Sequence, residues 1–224
     1  MKKSHKNELD DLAQGPAAGP PEPGRRARRA AETRLNLFRC ALQLFAQRGY
    51  ANVTVEEITE AADVGKGTFF NYFASKEHVL AVMAEVQVGK VERAHADVFE
   101  RELPVPEALH SLMHRLAEEP GRSPALACAF LSSFLASEGV RGIVAEHMRQ
   151  GRAQIAEMVA VGQERGEIAA HLKKEKVAMH LLQTCMGTVL LWSLDGKSSL
   201  KSRMEASYQH FWRAIAATRR ERKS

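Results

Sequence analysis

Residues 54–73, TVEEITEAADVGKGTFFNYF, contain the clearest structural motif of this chain. Thr54 stands before a helical pattern and has Glu57 three residues after it, which is the spacing of a capping box at a helix start. The turn Asp63-Val64-Gly65 separates this short helix from a second one, predicted over Lys66 to Phe73. Two short helices joined by a turn that contains glycine are typical of a helix-turn-helix.

The leading end of the second helix has residue types that suit a DNA groove. The major groove admits one helix, which has to present small or hydrogen-bonding groups at its exposed end. Lys66 can reach a phosphate or a guanine edge, Gly67 lets the backbone approach, and Thr68 offers a hydroxyl and a methyl group. Phe69 and Phe73 lie four residues apart and are expected to anchor the helix in its domain. The pattern therefore predicts a recognition helix that begins at Lys66.

A longer stretch, from Leu37 to Leu80, resembles the DNA-binding domain of the TetR family of bacterial transcriptional regulators. It contains LFRCALQLFAQRGY at 37–50, TVEEI at 54–58 and VGKGTFFNYFASKE at 64–77. The resemblance implies a homodimer on a palindromic operator, usually a repressor, that a small molecule releases. It also implies groove contacts from Lys66, Gly67, Thr68 and Phe70, and phosphate contacts from Thr54, Asn71, Tyr72 and Lys76.

Two positions depart from the pattern of that family. Phe70 stands where the family usually has tyrosine, so a hydroxyl contact is absent. Gly65 stands where serine is common, so the recognition helix loses a capping side chain. Glycine is a tolerable N-cap, and the loss costs the helix only a few tenths of a kcal/mol. Neither departure changes the class of motif.

Positive charge is concentrated around the motif. The 224-residue chain has a formal net charge of +5, and nine Lys or Arg against five Asp or Glu between Arg25 and Lys76 supply +4 of it. Four of these arginines form the run RRARR at 25–29, which is either a solubilising charge cluster or an arm that contacts phosphate or the minor groove. The Pro- and Gly-rich residues 1–24 before it are predicted to be a disordered tail.

Helical periodicity begins at Ala30 and continues through most of the chain. Gly49 is predicted to end the first helix, Ser75 to cap the helix that begins near Lys76, and Ser123, followed by Pro124, to cap a later one. No segment alternates with a period of two, so no sheet is expected. We predict an all-α fold of about nine helices, with a three-helix helix-turn-helix domain over residues 25–76. A long helix beginning near Lys76 joins it to a helical effector-binding and dimerisation domain over residues 77–224. No run approaches the length of a membrane span, and no membrane partner is expected.

The last two helices, predicted at about 173–194 and 199–219, look like the dimerisation pair of the family. Gly187 permits close approach of another helix, and Phe211 and Trp212 add a large apolar area. Two helices from each subunit can form a four-helix interface about a two-fold axis. The first of the two helices also has an apolar stripe, formed by Met179, Leu182, Met186, Val189 and Leu190.

A cavity for a small, largely apolar effector is expected among the remaining helices. Adaptable apolar pockets are rich in methionine, cysteine and aromatic side chains. Each such residue is also a common component of a plain hydrophobic core. The candidates of these types are Cys128, Phe130, Phe134, Met148, Met158 and Trp192.

The sequence gives little support for metal binding, disulfide bonds or catalysis. His110 and His114 lie four residues apart, a spacing that suits zinc, but no His-Glu-x-x-His pattern or nearby cysteine accompanies them. We therefore predict no metal site. The three cysteines, Cys40, Cys128 and Cys185, are far apart and are expected to be reduced thiols. No set of nucleophile, base and acid can be proposed, so neither an enzyme nor a cofactor is expected.

The sequence thus predicts a cytoplasmic, sequence-specific DNA-binding regulator, a repressor that an effector releases from its operator. Two alternatives stay open at this point. A non-specific architectural DNA-binding protein would bind any duplex with similar affinity and a steep salt dependence. A small-molecule enzyme that kept the fold would need a catalytic set of polar groups in its cavity.

Overall fold

The structure is a computed structural model that describes residues 24–218. Within this range the chain forms α-helices and contains no strand, apart from one isolated antiparallel bridge between Ile168 and Ala216. The all-α prediction is confirmed. The nine helices of the described range are α1 (Arg25–Arg48), α2 (Val55–Ala61), α3 (Lys66–Phe70), α4 (Lys76–Glu100), α5 (Val105–Leu116), α6 (Pro124–Ala136), α7 (Glu138–Glu164), α8 (Lys174–Asp195) and α9 (Leu200–Ile215).

The chain divides into two compact units. The first ends at Leu35, and its described part consists of Gly24 and the first residues of α1. The tail predicted for residues 1–24 therefore lies, except for Gly24, outside the described residues. The second unit begins at Asn36 and contains the helix-turn-helix and all later helices. The predicted division between residues 76 and 77 stays a prediction.

Several sequence signals form the local structures that they predict. Thr54 and Glu57 form the capping box of α2 in both directions. Gly49 follows the last residue of α1 with a φ of 79°, a left-handed conformation that costs glycine little. Ser123 accepts a hydrogen bond from the Leu126 N–H and caps α6, with Pro124 at the first helical position.

Three local expectations were wrong. The arginine run at 25–29 is the first part of α1, so the helix begins before Ala30. Helix α3 ends at Phe70, because the chain turns through Asn71 and Tyr72 ahead of Phe73. Ser75 stands at the N-cap of α4 without making a capping hydrogen bond, since its hydroxyl lies 3.1 Å from Nδ1 of His78.

Two large hydrophobic clusters stabilise the second unit. One belongs to the helix-turn-helix and is built around the buried rings of Phe45, Phe69 and Phe73. It also takes in Met83 of α4 and Phe130 of α6. The other fills the space among α4 to α9. Because α4 contributes to both clusters, it joins the helix-turn-helix to the larger helical body.

Helix α8 is more apolar than the sequence analysis noted. By length and composition it could cross a membrane, which corrects the statement that no run approaches a span. Core helices of soluble proteins have the same properties, and one side of α8 contributes to the core through Val177, Leu181 and Trp192. Its other side exposes Leu190 and Leu194, which require a separate explanation.

Candidate DNA interface and effector cavity

Helix α3 has one buried side and one exposed side. Phe69 is fully buried, with its ring 5.3 Å from that of Phe73 between centroids, so these two residues anchor the helix as predicted. The next residue, Phe70, points the other way and is 50% exposed, while its ring meets that of Phe69 edge-on. An exposed phenylalanine stabilises the fold little, so its side chain is available to another molecule.

Gly67 lies on the exposed side of α3 with open space around it. A Cβ atom built on Gly67 would meet no atom within 4 Å, and its φ is not in the left-handed region. Neither packing nor backbone conformation therefore requires glycine here. A helix would be more stable with alanine at this position, by about 1 kcal/mol. The residue fits a surface that an outside molecule has to approach closely.

The exposed residue Lys66 begins α3 and forms an ion pair with Glu56 of α2. The hydrogen bond from Lys66 is the main reason that the pKa of Glu56 is lowered. Both side chains are more than half exposed, so this pair contributes little to stability. A phosphate group can compete with Glu56 for the same ammonium.

The N-terminus of α2 is capped by side chains of the helix-turn-helix itself. The Thr54 hydroxyl accepts from the Glu57 N–H at 3.2 Å, and the Glu57 carboxylate accepts the Thr54 N–H at 2.8 Å. Arg48 also donates to that carboxylate at 2.5 Å. The hydrogen bond from Thr54, followed by that from Arg48, lowers the pKa of Glu57. Thr54 remains exposed beside the recognition helix.

Lys76 has a structural partner that the sequence did not reveal. Its ammonium donates to the backbone carbonyls of Tyr50 and Val53, at 2.8 Å each. It also lies 4.2 Å from the centroid of the Tyr50 ring, a cation–π contact. Two of its three donors are thus already used, and the side chain is half-buried. Lys76 therefore fixes the turn after α1 against the start of α4.

All eight residues predicted to contact DNA reach the surface of the helix-turn-helix. None of them is buried. The predicted contacts stay predictions. Thr54, Lys66, Gly67, Phe70 and Asn71 are exposed, whereas Thr68, Tyr72 and Lys76 are half-buried.

A cavity of about 110 Å³ lies among α4, α6, α7, α8 and α9. Its walls are almost entirely apolar, so it suits an apolar ligand. Helix α4 forms one side of it, from Met83 to Val91. Among the lining side chains are Met83, Val88, Val91, Phe130, Ile155 and Leu181.

Two of the six predicted effector-binding residues line this cavity, Phe130 and Met148. Cys128 is exposed and does not line the cavity. Met158 and Trp192 are buried in the main core, and the Trp192 indole donates to the Ser198 carbonyl at 2.5 Å. The Phe134 side chain lies outside the described part of the structure. Composition finds core residues, but it does not show which of them border a space.

Polar residues of the cavity wall were missed by the sequence analysis. Arg152 lines the cavity. Among the described residues, its guanidinium donates a hydrogen bond to the Met179 sulfur, at 3.8 Å. A thioether is a weak acceptor. Gln87 also lines the cavity, and its side-chain oxygen is buried without a hydrogen-bond partner among the described residues. The cavity therefore offers one cation and one free acceptor.

The apolar face of α8 differs from the predicted stripe. Leu182, Met186 and Val189 line the cavity, so they are turned inward. The exposed apolar residues are Leu190, Leu191 and Leu194, the last 72% exposed. On the same helix, a Cβ atom built on Gly187 would meet nothing within 4 Å. This side of α8 is open for approach by another helix.

Comparison with known proteins agrees with the geometry of the helix-turn-helix. The family described as "Bacterial regulatory proteins, tetR family" matches residues 37–83. The chain is 37% identical over 142 residues to the HTH-type transcriptional regulator TcmR of Streptomyces glaucescens, which covers 54% of this chain and 62% of TcmR. It is 25% identical to the HTH-type transcriptional repressor DhaR of Mycobacterium sp. strain GP1, over 72% of this chain and 83% of DhaR.

Solved structures extend the likeness to the helices beyond the motif. FadR of Bacillus halodurans, a fatty acid degradation regulator, is 21% identical with a TM-score of 0.65, over 80% of this chain and 94% of that one. The TetR-family repressor FadR of Thermus thermophilus, solved with lauroyl-CoA, is 26% identical with a TM-score of 0.57, over 80% and 92%. These relatives are regulators and not enzymes. The chain therefore has, over residues 37–83, the DNA-binding domain of the TetR family of transcriptional regulators, and its all-α body has the fold of these solved regulators.

Proposed function

We propose that the protein is a homodimeric repressor that binds a palindromic operator and leaves it when a small, largely apolar effector enters the cavity. The observation that carries this proposal is the presentation of Lys66, Gly67 and Thr68 at the leading end of α3, while Phe69 anchors its opposite side. Such a regulator acts in the cytoplasm, where the chromosome is.

The homodimer is supported by the outer side of α8. Leu190, Leu191 and Leu194 form an exposed apolar patch, and Gly187 leaves room for close helix approach one turn earlier. A second copy can cover this patch with the same residues about a two-fold axis. The same axis would set two recognition helices about 34–36 Å apart, one turn of DNA.

The route from effector to DNA runs through residues shared by the cavity and the DNA-binding core. Met83 and Phe130 line the cavity and also belong to the cluster that holds Phe69. A ligand in contact with these two side chains changes the packing that supports α3. The coupling between two such sites is commonly about 1–3 kcal/mol and acts in both directions.

The effector is proposed to combine an apolar body with one acidic or carbonyl group. The apolar walls favour a hydrocarbon body, and Arg152 supplies a positive charge whose hydrogen-bond acceptor among residues 24–218 is the Met179 sulfur. A carboxylate would bind this guanidinium more strongly than a thioether does. The Thermus thermophilus relative, solved with lauroyl-CoA, is a precedent for an acyl ligand in this fold.

The proposal is tested by selecting genomic fragments that the purified protein retains, followed by competition binding at fixed salt. A palindrome bound at least about 1,000-fold better than random duplex supports it. Equal affinity for every duplex would favour the architectural alternative. Octanoate and octanol then serve as probes of the cavity, since they share the chain and differ in charge. Octanoate should release the operator at lower concentration, and this preference should vanish in Arg152→Met.

A further inference from the structure

His110 and His114 on α5 meet Glu205 of α9, which lies 95 residues from His110 in the sequence. Nε2 of His110 and Nε2 of His114 lie 2.7 and 2.6 Å from the same carboxylate oxygen, Oε2 of Glu205. The two imidazole nitrogens lie 3.3 Å from each other. Three potential ligand atoms on two helices therefore converge on one point.

We propose that His110, His114 and Glu205 form a zinc-binding site that joins α5 to α9. The site is independent of the proposed DNA-binding and effector functions. Two histidines and a carboxylate are a ligand set that zinc uses with a fourth, open position. With Zn–N bonds of about 2.0–2.1 Å, two nitrogens on a tetrahedral ion lie about 3.3 Å apart, which is the separation of the two imidazole nitrogens here.

The carboxylate is held in place by a neighbour. Gln209 donates to Oε1 of Glu205 at 2.7 Å, which leaves Oε2 directed at the two imidazoles. Supporting hydrogen bonds of this kind orient metal ligands and add to their affinity. Within the described residues no Lys or Arg forms an ion pair with Glu205, so its negative charge is available to a cation.

The rings are positioned by packing and remain open to solvent. The Tyr208 ring lies 4.9 Å from that of His110, and the Tyr208 hydroxyl is fixed by a 2.6 Å hydrogen bond to the Pro106 carbonyl. The side chains of His110 and Glu205 are 42% and 39% exposed, so an ion can enter from water. For zinc to bind, the carboxylate oxygen has to retreat by about 0.6 Å from each nitrogen to reach tetrahedral spacing. A glutamate side chain has the flexibility for this movement.

The test uses the full chain, freed of metal with a chelator that is then removed. Zinc affinity is measured by competition with a chromophoric chelator, and cobalt(II) reports tetrahedral coordination through its visible absorption. We expect one tight equivalent in the native protein and at least tenfold weaker binding in His114→Gln and in Glu205→Gln. His95→Gln is the matched control, because His95 lies 2.7 Å from Glu157 in a pair that is outside the cluster. It should bind zinc as the native protein does.

Two further readouts keep the proposal falsifiable. At one fixed zinc concentration, the Tm of the native protein and of His95→Gln should rise by similar amounts, and that of Glu205→Gln should rise by less. Circular dichroism without metal shows whether each variant is folded; if Glu205→Gln fails to fold, His114→Gln carries the comparison. The proposal is overturned if all variants bind zinc equally, which would mean adventitious binding to surface histidines, or if cobalt gives no tetrahedral spectrum. Operator binding measured without metal tests the proposed regulator separately.

Discussion

The hydroxyl of Tyr50 donates a 2.7 Å hydrogen bond to the carboxylate of Glu77, which fastens the turn after α1 to the first turn of α4. Lys76 reinforces the same junction through the carbonyls of Tyr50 and Val53. Since α4 goes on to line the cavity, this junction connects the helix-turn-helix to the helix that forms one cavity wall. Its strength is therefore open to measurement by substitution.

Tyr50→Phe should lower the free energy of unfolding by about 1 kcal/mol, the usual net value of one such hydrogen bond.

Hydrogen bonds from Ser75 and then from Tyr50 hold the pKa of Glu77 below its ordinary value. A carboxylate whose folded pKa is depressed stabilises the fold above its unfolded pKa, near 4.3, and loses that contribution as pH falls through the folded pKa. The stability advantage of the native protein over Glu77→Gln should therefore shrink on acidification below about pH 4.

Denaturant unfolding measures the free energy of unfolding of both variants, and for Glu77→Gln it is repeated at several pH values. Tyr72→Phe is the control, since no hydrogen bond of the Tyr72 hydroxyl is found among the described residues. A loss in Tyr72→Phe as large as that in Tyr50→Phe would contradict the assignment.

Gly67→Ala should separate stability from DNA binding. The added methyl meets no atom within 4 Å, so the free energy of unfolding should stay equal or rise by up to about 1 kcal/mol. Operator affinity should fall at least tenfold, because the methyl occupies the surface that a groove has to approach. Gly89→Ala, also in open space on a helix but on α4, should leave operator affinity unchanged. Equal operator affinity for Gly67→Ala and the native protein would show that this surface does not face DNA.

Substitutions of Lys66 and of Glu56 should change operator affinity in opposite directions. Lys66→Ala should weaken operator binding and reduce the slope of log affinity against log salt by about 1, as expected for one lost phosphate contact. Glu56→Gln frees the Lys66 ammonium and should strengthen binding. Titrations at three salt concentrations decide this, with the exposed Lys201→Ala on α9 as a control for net charge. The recognition-helix assignment fails if Lys66→Ala and Lys201→Ala behave alike.

The three cysteines should differ in reactivity. Burial raises the pKa of Cys185 to about 12, so at neutral pH its thiol is neither ionised nor accessible. Cys128 is exposed and should react first with a thiol reagent, while Cys40, whose pKa burial also raises, should react more slowly. Mass spectrometry of timed alkylation should find Cys185 unlabelled until denaturant is added. Early labelling of Cys185 would mean that the cavity beside it opens readily.

Local signals in the sequence were good predictors of the fold. The capping box at Thr54, the stop at Gly49 and the cap at Ser123 depend on residues within four positions of each other, and all three form as expected. Start signals are weaker when no cap is present, and α1 accordingly begins at Arg25, before the predicted start.

Features that depend on distant residues could not be predicted. Helical periodicity shows that α8 has an apolar side, but it does not show which of its residues turn to the cavity. In the structure Leu182 lines the cavity, whereas Leu194 is exposed on the outside. The same limit applies to His110, whose partner Glu205 comes from another helix 95 residues away. Arg152 gives no sequence signal either, since its importance comes from the apolar walls around it.

The exposed leucines of α8 have a genetic consequence. In the proposed homodimer Leu190, Leu191 and Leu194 are covered, whereas a lone subunit exposes them to water, which favours pairing soon after synthesis. A copy with a damaged α3 but an intact α8 would enter such pairs and leave them with a single DNA-reading arm. One defective allele, expressed at the same level, would then draw half of the healthy subunits into mixed pairs.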